Sequence, residues 1–184
     1  MSSSYKSPFS IAAGIEYQLS DYSKIHFMGE WFAPLSTYVV IQPESDNFIR
    51  NFPSETRPID SAEILKVYDS MRSIFNFGLA YDKKLSDEFT GYIAARTDFS
   101  NANYEDIDGL FIGITDFNIY HFTVGSSYET SDTFLALGLE YSHGSNSEFN
   151  QIFNFPTGRV QPGDFFLGIQ RGSSKAIYNN FNIF

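Results

Sequence analysis

From Phe9 to Leu19 the chain alternates with a period of two. Odd positions carry Phe9, Ile11, Ala13, Ile15, Tyr17 and Leu19, and even positions carry Ser10, Ala12, Gly14, Glu16 and Gln18. That period predicts a strand with one apolar face. The next arm sets Ile25, Phe27, Gly29 and Trp31 against Lys24, His26, Met28 and Glu30. The pattern recurs twice. Phe75, Phe77, Leu79 and Tyr81 alternate with Asn76, Gly78, Ala80 and Asp82, and return as Phe89, Gly91, Ile93 and Ala95 against Thr90, Tyr92, Ala94, Arg96 and Asp98. Tyr120, Phe122, Val124 and Tyr128 oppose His121, Thr123, Gly125, Ser127 and Glu129, and return as Leu135, Leu137, Leu139 and Tyr141 against Phe134, Ala136, Gly138, Glu140 and Ser142. Each pair of arms is joined by Ser-Asp, at Ser20-Asp21, Ser86-Asp87 and Ser131-Asp132.

The arms run about ten residues, the length a tilted membrane strand needs and nearly twice that of an ordinary soluble strand. Short turns alternate with long polar stretches at residues 36–72, 101–116 and 144–175. Short turns at one rim and long loops at the other are the pattern of an outer-membrane barrel. Aromatics fall near strand ends (Phe9, Tyr17, Trp31, Tyr81, Phe89, Phe99, Tyr128, Tyr141), where interfacial girdles sit, and small residues crowd the polar face. The predicted fold is therefore all-β, an antiparallel up-and-down transmembrane β-barrel in one domain over residues 1–184. A soluble antiparallel sheet with one wet face also alternates, so a small soluble β protein, such as a lipid carrier, stays open.

If the Ser-Asp turns mark the periplasmic rim, the long loops are extracellular and strand six ends outside near His143. A last strand over residues 176–184 makes seven. Bacterial single-chain barrels have even counts, and making residues 165–170 an eighth strand would invert the loop pattern, so that segment is assigned to the loop. Phe184 shares its register with Asn182, Asn180 and Tyr178, while Ile177, Phe181 and Ile183 form the apolar face. Phe184 thus reads as an interior residue. The seven strands read as an incomplete barrel or curved open sheet, the C-terminal part of a larger one. Within residues 36–72, Asp60 and Glu63 have N-cap and N3 spacing. Ile64, Leu65, Tyr68 and Met71 continue it as an apolar stripe, which predicts a short helix on the barrel rim.

Composition narrows the function. The 184 residues include 20 Phe, 12 Tyr and no Cys. Mean hydropathy is -0.21, and no run of about 18 apolar residues exists to cross a membrane as a helix. The formal net charge of -10 opposes nucleic-acid binding, which needs clustered Lys and Arg. Lack of Cys removes disulfides, thiolate metal sites and Cys nucleophiles. The first nine residues hold no apolar segment of the kind an exported protein's signal carries. A barrel reading therefore expects such a signal upstream.

Hairpin register brings polar-face residues together: Glu16 near His26, Gln18 near Lys24, Gly78 opposite Arg96, Asp82 opposite Tyr92, Thr123 opposite Glu140 and His121 opposite Ser142. The candidate ligand-facing lining of the lumen is Glu16, His26, Glu30, Arg96, Asp98, His121 and Glu140. The same residues serve equally as ion pairs and hydrogen bonds that hold the wall, since a carboxylate facing a lumen needs a partner or water. With three His and many Ser, a His121–Ser142 pair is expected by chance. No enzyme, metal or cofactor is expected.

Several segments resemble a known group. Lys6-Ser-Pro-Phe-Ser-Ile-Ala-Ala-Gly-Ile-Glu-Tyr, Lys24-Ile-His-Phe-Met-Gly-Glu-Trp-Phe, Ile74-Phe-Asn-Phe-Gly-Leu-Ala-Tyr, Ala95-Arg-Thr-Asp-Phe-Ser and Leu137-Gly-Leu-Glu-Tyr-Ser are similar to outer-membrane proteins of Bacteroidetes related to the FadL/TodX hydrophobic-compound transporters. The resemblance covers most of residues 5–143. It implies a fourteen-stranded monomeric barrel with an N-terminal plug in the bacterial outer membrane. It also implies passive diffusion of fatty acids or other hydrophobic small molecules, with outer-membrane lipid as the surrounding partner. It carries over no binding residue. The long loops leave a second reading, a structural or adhesive barrel that binds an external partner.

Overall fold

The computed structural model describes residues 1–51, 56–60, 62, 65–103, 107, 110–111, 117–153 and 169–184. Apart from Ala62, which is helical, every element among them is a β-strand. In chain order these are β1 (Ser2–Ser3), β2 (Ser10–Ser20), β3 (Ser23–Phe32), β4 (Leu35–Gln42), β5 (Asn47–Asn51), β6 (Thr56–Asp60) and β7 (Val67–Met71). There follow β8 (Ile74–Lys84), β9 (Phe89–Asp98), β10 (Leu110–Phe111), β11 (Ile119–Glu129), β12 (Phe134–Phe153) and β13 (Ile169–Ile183). Seven form one sheet in the order β13-β12-β11-β9-β8-β3-β2. This is a meander of sequence neighbours, the order the alternating arms predict. The order ends at β2 and β13, so the described strands make no closed barrel.

The chain divides into two units. The first comprises Met1–Tyr17, His26–Leu79 and Phe99–Asp116, and the second Gln18–Ile25, Ala80–Asp98 and Phe117–Phe184. In the second unit the three short turns are held by their Ser and Thr side chains. The Ser20 and Ser23 hydroxyls lie 2.8 Å apart, and the Tyr22 N–H donates to Ser20 Oγ at 3.2 Å. Ser86 Oγ accepts from the N–H groups of Glu88 and Phe89 at 3.3 and 3.1 Å, and Thr130 Oγ1 accepts from the Thr133 N–H at 3.2 Å. Short polar side chains that bond their own backbone stabilise turns in this way.

The first unit corrects the expectation of a loop over residues 36–72. Here β1, β4, β7 and β10 form a second sheet in the order β1-β4-β7-β10, and β5 pairs with β6 as a hairpin. Tyr38, Val40, Ser70 and Met71 are buried in this unit. The Tyr38 hydroxyl donates to Asp69 Oδ2 at 3.1 Å, and the Lys6 ammonium lies 5.0 Å from the Tyr38 ring centre. The helix expected after Asp60 is only partly described: Ala62 is helical, and the expected apolar stripe does not continue through Tyr68 and Met71. Asp60 ends β6, and Tyr68 and Met71 lie in β7, where Val39 pairs with Tyr68 and Leu35 with Met71. Pairing with β4 takes Tyr68 and Met71 out of that stripe. Glu63 and Ile64 lie outside the described residues, as does most of the expected loop over 101–116.

The expected loop over residues 144–175 is also shorter than predicted. The ladder β12–β13 runs from Leu139↔Ile183 to Phe153↔Ile169, with register shifts between Asn146 and Phe149 and between Asn150 and Ile152. The final strand thus begins at Ile169 rather than 176, and takes in Ile169 and Gln170 of the segment assigned to the loop. Residues 165–168 lie outside the described residues. The polar run after His143 hides this extension, because a strand with no apolar face leaves no period-two signal.

In β8, β11 and β12 the two faces invert the usual burial rule, while β2 at the sheet edge is exposed on both. Exposed side chains include Ile11, Ile15, Leu19, Phe27, Phe75, Phe77, Leu79, Phe122, Leu135, Leu137 and Phe181. One row crosses four strands of the second unit through Ile93, Val124, Leu139 and Ile183, which are 57%, 53%, 55% and 76% exposed. Polar His121 and Ser142, on the opposite face, are 8% and 1% exposed. Aromatics bracket the row. Phe89 and Tyr128 rings lie 4.8 Å apart at the turn end, and Tyr141 and Phe181 rings lie 4.7 Å apart beyond it. Tyr141 Oη donates to Asn179 Oδ1 at 2.9 Å, which gives that aromatic a polar anchor.

Candidate functional site

Register alone assembles the polar cluster. The β9–β11 ladder sets Arg96 beside His121, the β11–β12 ladder sets His121 beside Ser142, and the β12–β13 ladder sets Ser142 beside Asn180. One inward step nearer the turns lie Ala94, Thr123, Glu140 and Asn182. Alternation points all of these to one face. The predicted pairings Thr123–Glu140 and His121–Ser142 are those observed.

The cluster centres on His121. Its Nδ1 lies 2.8 Å from Ser142 Oγ, 3.2 Å from Arg96 Nη2 and 3.5 Å from Glu140 Oε1. Arg96 Nη2 is also 3.6 Å from Glu140 Oε2. Asn182 Nδ2 donates to Glu140 Oε1 at 3.4 Å, and Asn180 Nδ2 donates to Asn182 Oδ1 at 3.2 Å. The other ring nitrogen, Nε2, is buried and has no hydrogen-bond partner. A buried unpaired polar atom costs about 1–3 kcal/mol.

This arrangement differs from a hydrolytic triad. There the base uses one ring nitrogen for the nucleophile and the other for the carboxylate. Here Ser142 and Glu140 share Nδ1 while Nε2 is free, and Ser142 is buried away from any incoming carbonyl. The geometry suits a polar tie across β9, β11, β12 and β13 rather than removing a proton from serine. Among the described residues, no group of three or more His, Asp or Glu side chains is placed to hold a metal ion.

One strand step further toward the turns is a flat, aromatic-covered patch. Gly125 and Gly138 face each other across β11 and β12, with Tyr92 beside Gly125 on β9. A Cβ on Gly125 would collide with the Tyr92 ring and lie 2.6 Å from the Leu137 carbonyl oxygen. A Cβ on Gly138 would meet the Phe184 ring and lie 2.8 Å from the Tyr92 hydroxyl. The glycines are therefore the floor on which Tyr92 and Phe184 lie. Phe184 extends the ladder, its N–H and C=O both bonded to Gly138. It stands on the polar face, as its register with Asn182 and Asn180 predicts.

Of the seven predicted lining residues, the structure brings Arg96, His121 and Glu140 together. Asp98 ends β9 as an exposed residue opposite Ile119. In the first unit Glu16 Oε2 and His26 Nδ1 lie 3.5 Å apart, the pair predicted across the first turn. Glu30 is half-buried on β3. Sequence reasoning missed Asn180, Asn182, Tyr92 and Phe184 as members of the site. A hairpin of known turn fixes its own register, which is why Ser142 could be placed. The long connection before β13 leaves its register free, so the asparagines gave no signal. The Gly125–Gly138 pair opposite Tyr92 was the readable sign of a ring lying over bare backbone.

No protein-family model matches the chain, and no curated protein or solved structure is significantly similar to it.

Proposed function

We propose that this chain is part of the wall of an outer-membrane β-barrel through which hydrophobic small molecules diffuse passively. The observation that carries the reading is the inverted burial, with exposed Ile93, Val124, Leu139 and Ile183 on one face and covered His121 and Ser142 on the other. Burying one such aliphatic side chain is worth about 1.5–3 kcal/mol. A sheet that keeps whole rows of them uncovered gains that energy from lipid. The aromatic pairs at both ends of the row fit interfacial girdles. The resemblance of the strand segments to FadL/TodX-related proteins supplies the cargo class.

Unpaired strand edges are not tolerated in hydrocarbon, so β2 and β13 need neighbours. In a seven-strand meander the first and last strands run the same way. Antiparallel closure therefore takes an odd number of further strands, the basis for reading the chain as part of a larger barrel. Two measurements test the proposal. The protein should fractionate with outer membranes. Deleting its gene should slow uptake of labelled hydrophobic compounds severalfold, and unchanged uptake counts against transport.

A second reading, partner binding at the cell surface, is favoured by one observation. The described residues of 36–72 include β4 to β7, with Tyr38 and Met71 buried, rather than an irregular loop alone. Removing the β5–β6 hairpin should then abolish capture of the partner while leaving membrane assembly intact.

A further inference from the structure

On the apolar face of the second unit, polarity returns in steps beyond the aromatic row. Phe122, Tyr141 and Phe181 form that row across β11, β12 and β13, and the next row away from the turns is Tyr120, His143 and Asn179. Tyr141 Oη donates to Asn179 Oδ1, and His143 Nδ1 lies 2.9 Å from the same oxygen. The Tyr141 and His143 rings stack with centres 6.3 Å apart. Two side chains thus hold Asn179, an exposed residue, at the edge of the apolar band.

Beyond it lies Lys175. Along β13, Lys175, Ile177, Asn179 and Phe181 are exposed, while Ala176, Tyr178 and Asn180 between them are half-buried. Lys175 therefore shares the apolar face, four residues or roughly 14 Å past Asn179. Its ammonium sits on an aliphatic stem that can lie back along the strand.

Charge singles this position out. The chain has a formal net charge of -10. Yet among the described residues of this face, in β9, β11, β12 as far as Asn146 and β13 from Lys175, there is no Asp or Glu. Lys175 is the one Lys or Arg among them, and it stands at the end away from the turns. A positive charge just past the apolar band of a lipid-facing wall meets the headgroup layer, where anionic lipid attracts it.

We propose that this corner of the wall docks an anionic phospholipid. Its phosphate lies on the Lys175 ammonium, its ester region against Asn179, and its chains along Phe122, Leu139 and Ile183. The inference rests on the membrane reading of this face and is independent of the cargo.

The full-length protein carrying Trp31→Phe and Phe122→Trp, reconstituted in phosphatidylcholine vesicles, puts its single tryptophan beside the site. Brominated phosphatidylglycerol or brominated phosphatidylcholine is then included as quencher at equal mole fraction. Phosphatidylglycerol should quench as if bound about fivefold more tightly, the attraction expected of one Lys near an anionic leaflet. Lys175→Gln should bring that ratio close to one. Lys84→Gln, at the turn end of β8, should leave it unchanged. A ratio near one before any Lys is changed, or one that survives Lys175→Gln, overturns the inference. So does an equal loss in Lys84→Gln, which would mean diffuse charge. Inorganic phosphate that abolishes the preference where chloride of equal ionic strength does not would make this a site for the free anion, and overturns it too. Quenching by both lipids without preference leaves the membrane reading standing. No quenching by either sinks both.

Discussion

Leu139→Arg separates a lipid-facing wall from a sheet in water. Leu139 is 55% exposed on β12, in the row with Val124 and Ile183. It lies two residues before Tyr141 and four after Leu135. At about 3.4 Å per residue these are roughly 7 Å and 14 Å along the strand, so it is inside the apolar band but off its centre. An arginine at the midplane of a barrel's lipid face costs about 2–4 kcal/mol, and less toward the interface. About 2–3 kcal/mol is expected here. At an exposed site in water the same change stays within about 0.5 kcal/mol. Asn182→Arg is the control, exposed on the opposite face beside Glu140. The assay is urea-dependent refolding into phospholipid vesicles, followed by the fluorescence of Trp31, the single tryptophan. Leu139→Arg should lose stability and Asn182→Arg should not. Equal effects of the two, or a Leu139→Arg loss within about 0.5 kcal/mol, would refute the lipid-facing assignment.

Other outcomes follow from local geometry. Gly125→Ala places a methyl 2.6 Å from the Leu137 carbonyl oxygen, which cannot move as a side chain can, so an overpacking loss of about 1–3 kcal/mol is expected in the same titration. Glu140→Gln weakens the contact with Arg96, which is half-exposed, so the loss should be only about 1 kcal/mol. A loss above about 3 kcal/mol would mark a fully buried ion pair instead. At the end of β6, Ser45 Oγ donates to Asp60 Oδ2 at 2.6 Å and the Ala62 N–H donates to Oδ1 at 2.8 Å. These bonds, the serine's first, hold the Asp60 carboxyl below its ordinary value. A depressed carboxyl adds stability above the unfolded-state value of about 3.9 and loses it as pH falls through the folded value. Ser45→Ala should raise the Asp60 midpoint in a carboxyl NMR titration, and an unchanged midpoint would discount the bond.

Sequence and structure divide the protein along a physical line. Alternation at Phe9–Leu19, Phe75–Tyr81 and Leu135–Tyr141 was enough to name the strands and their apolar faces, because a strand's side chains obey a period of two whatever surrounds it. Short turns fixed the registers that pair Glu16 with His26 and His121 with Ser142. The polar extension of β12 beyond His143 left no such period and was misassigned to a loop. So was β4–β7, where Tyr68 and Met71 carried a helical spacing that pairing with β4 overrode. Residues joined by long connections, such as Ser142 and Asn180, have a register that no local signal sets.

The sequence by itself determined that this chain forms long, one-sided strands, and which side chains share a face. Only the tertiary structure decided that the apolar face is the uncovered one and that His121 Nε2 is buried without a partner. Face membership is local, set by backbone geometry. Exposure and the meeting of Arg96, Glu140, Asn180 and Asn182 depend on neighbours distant in the chain.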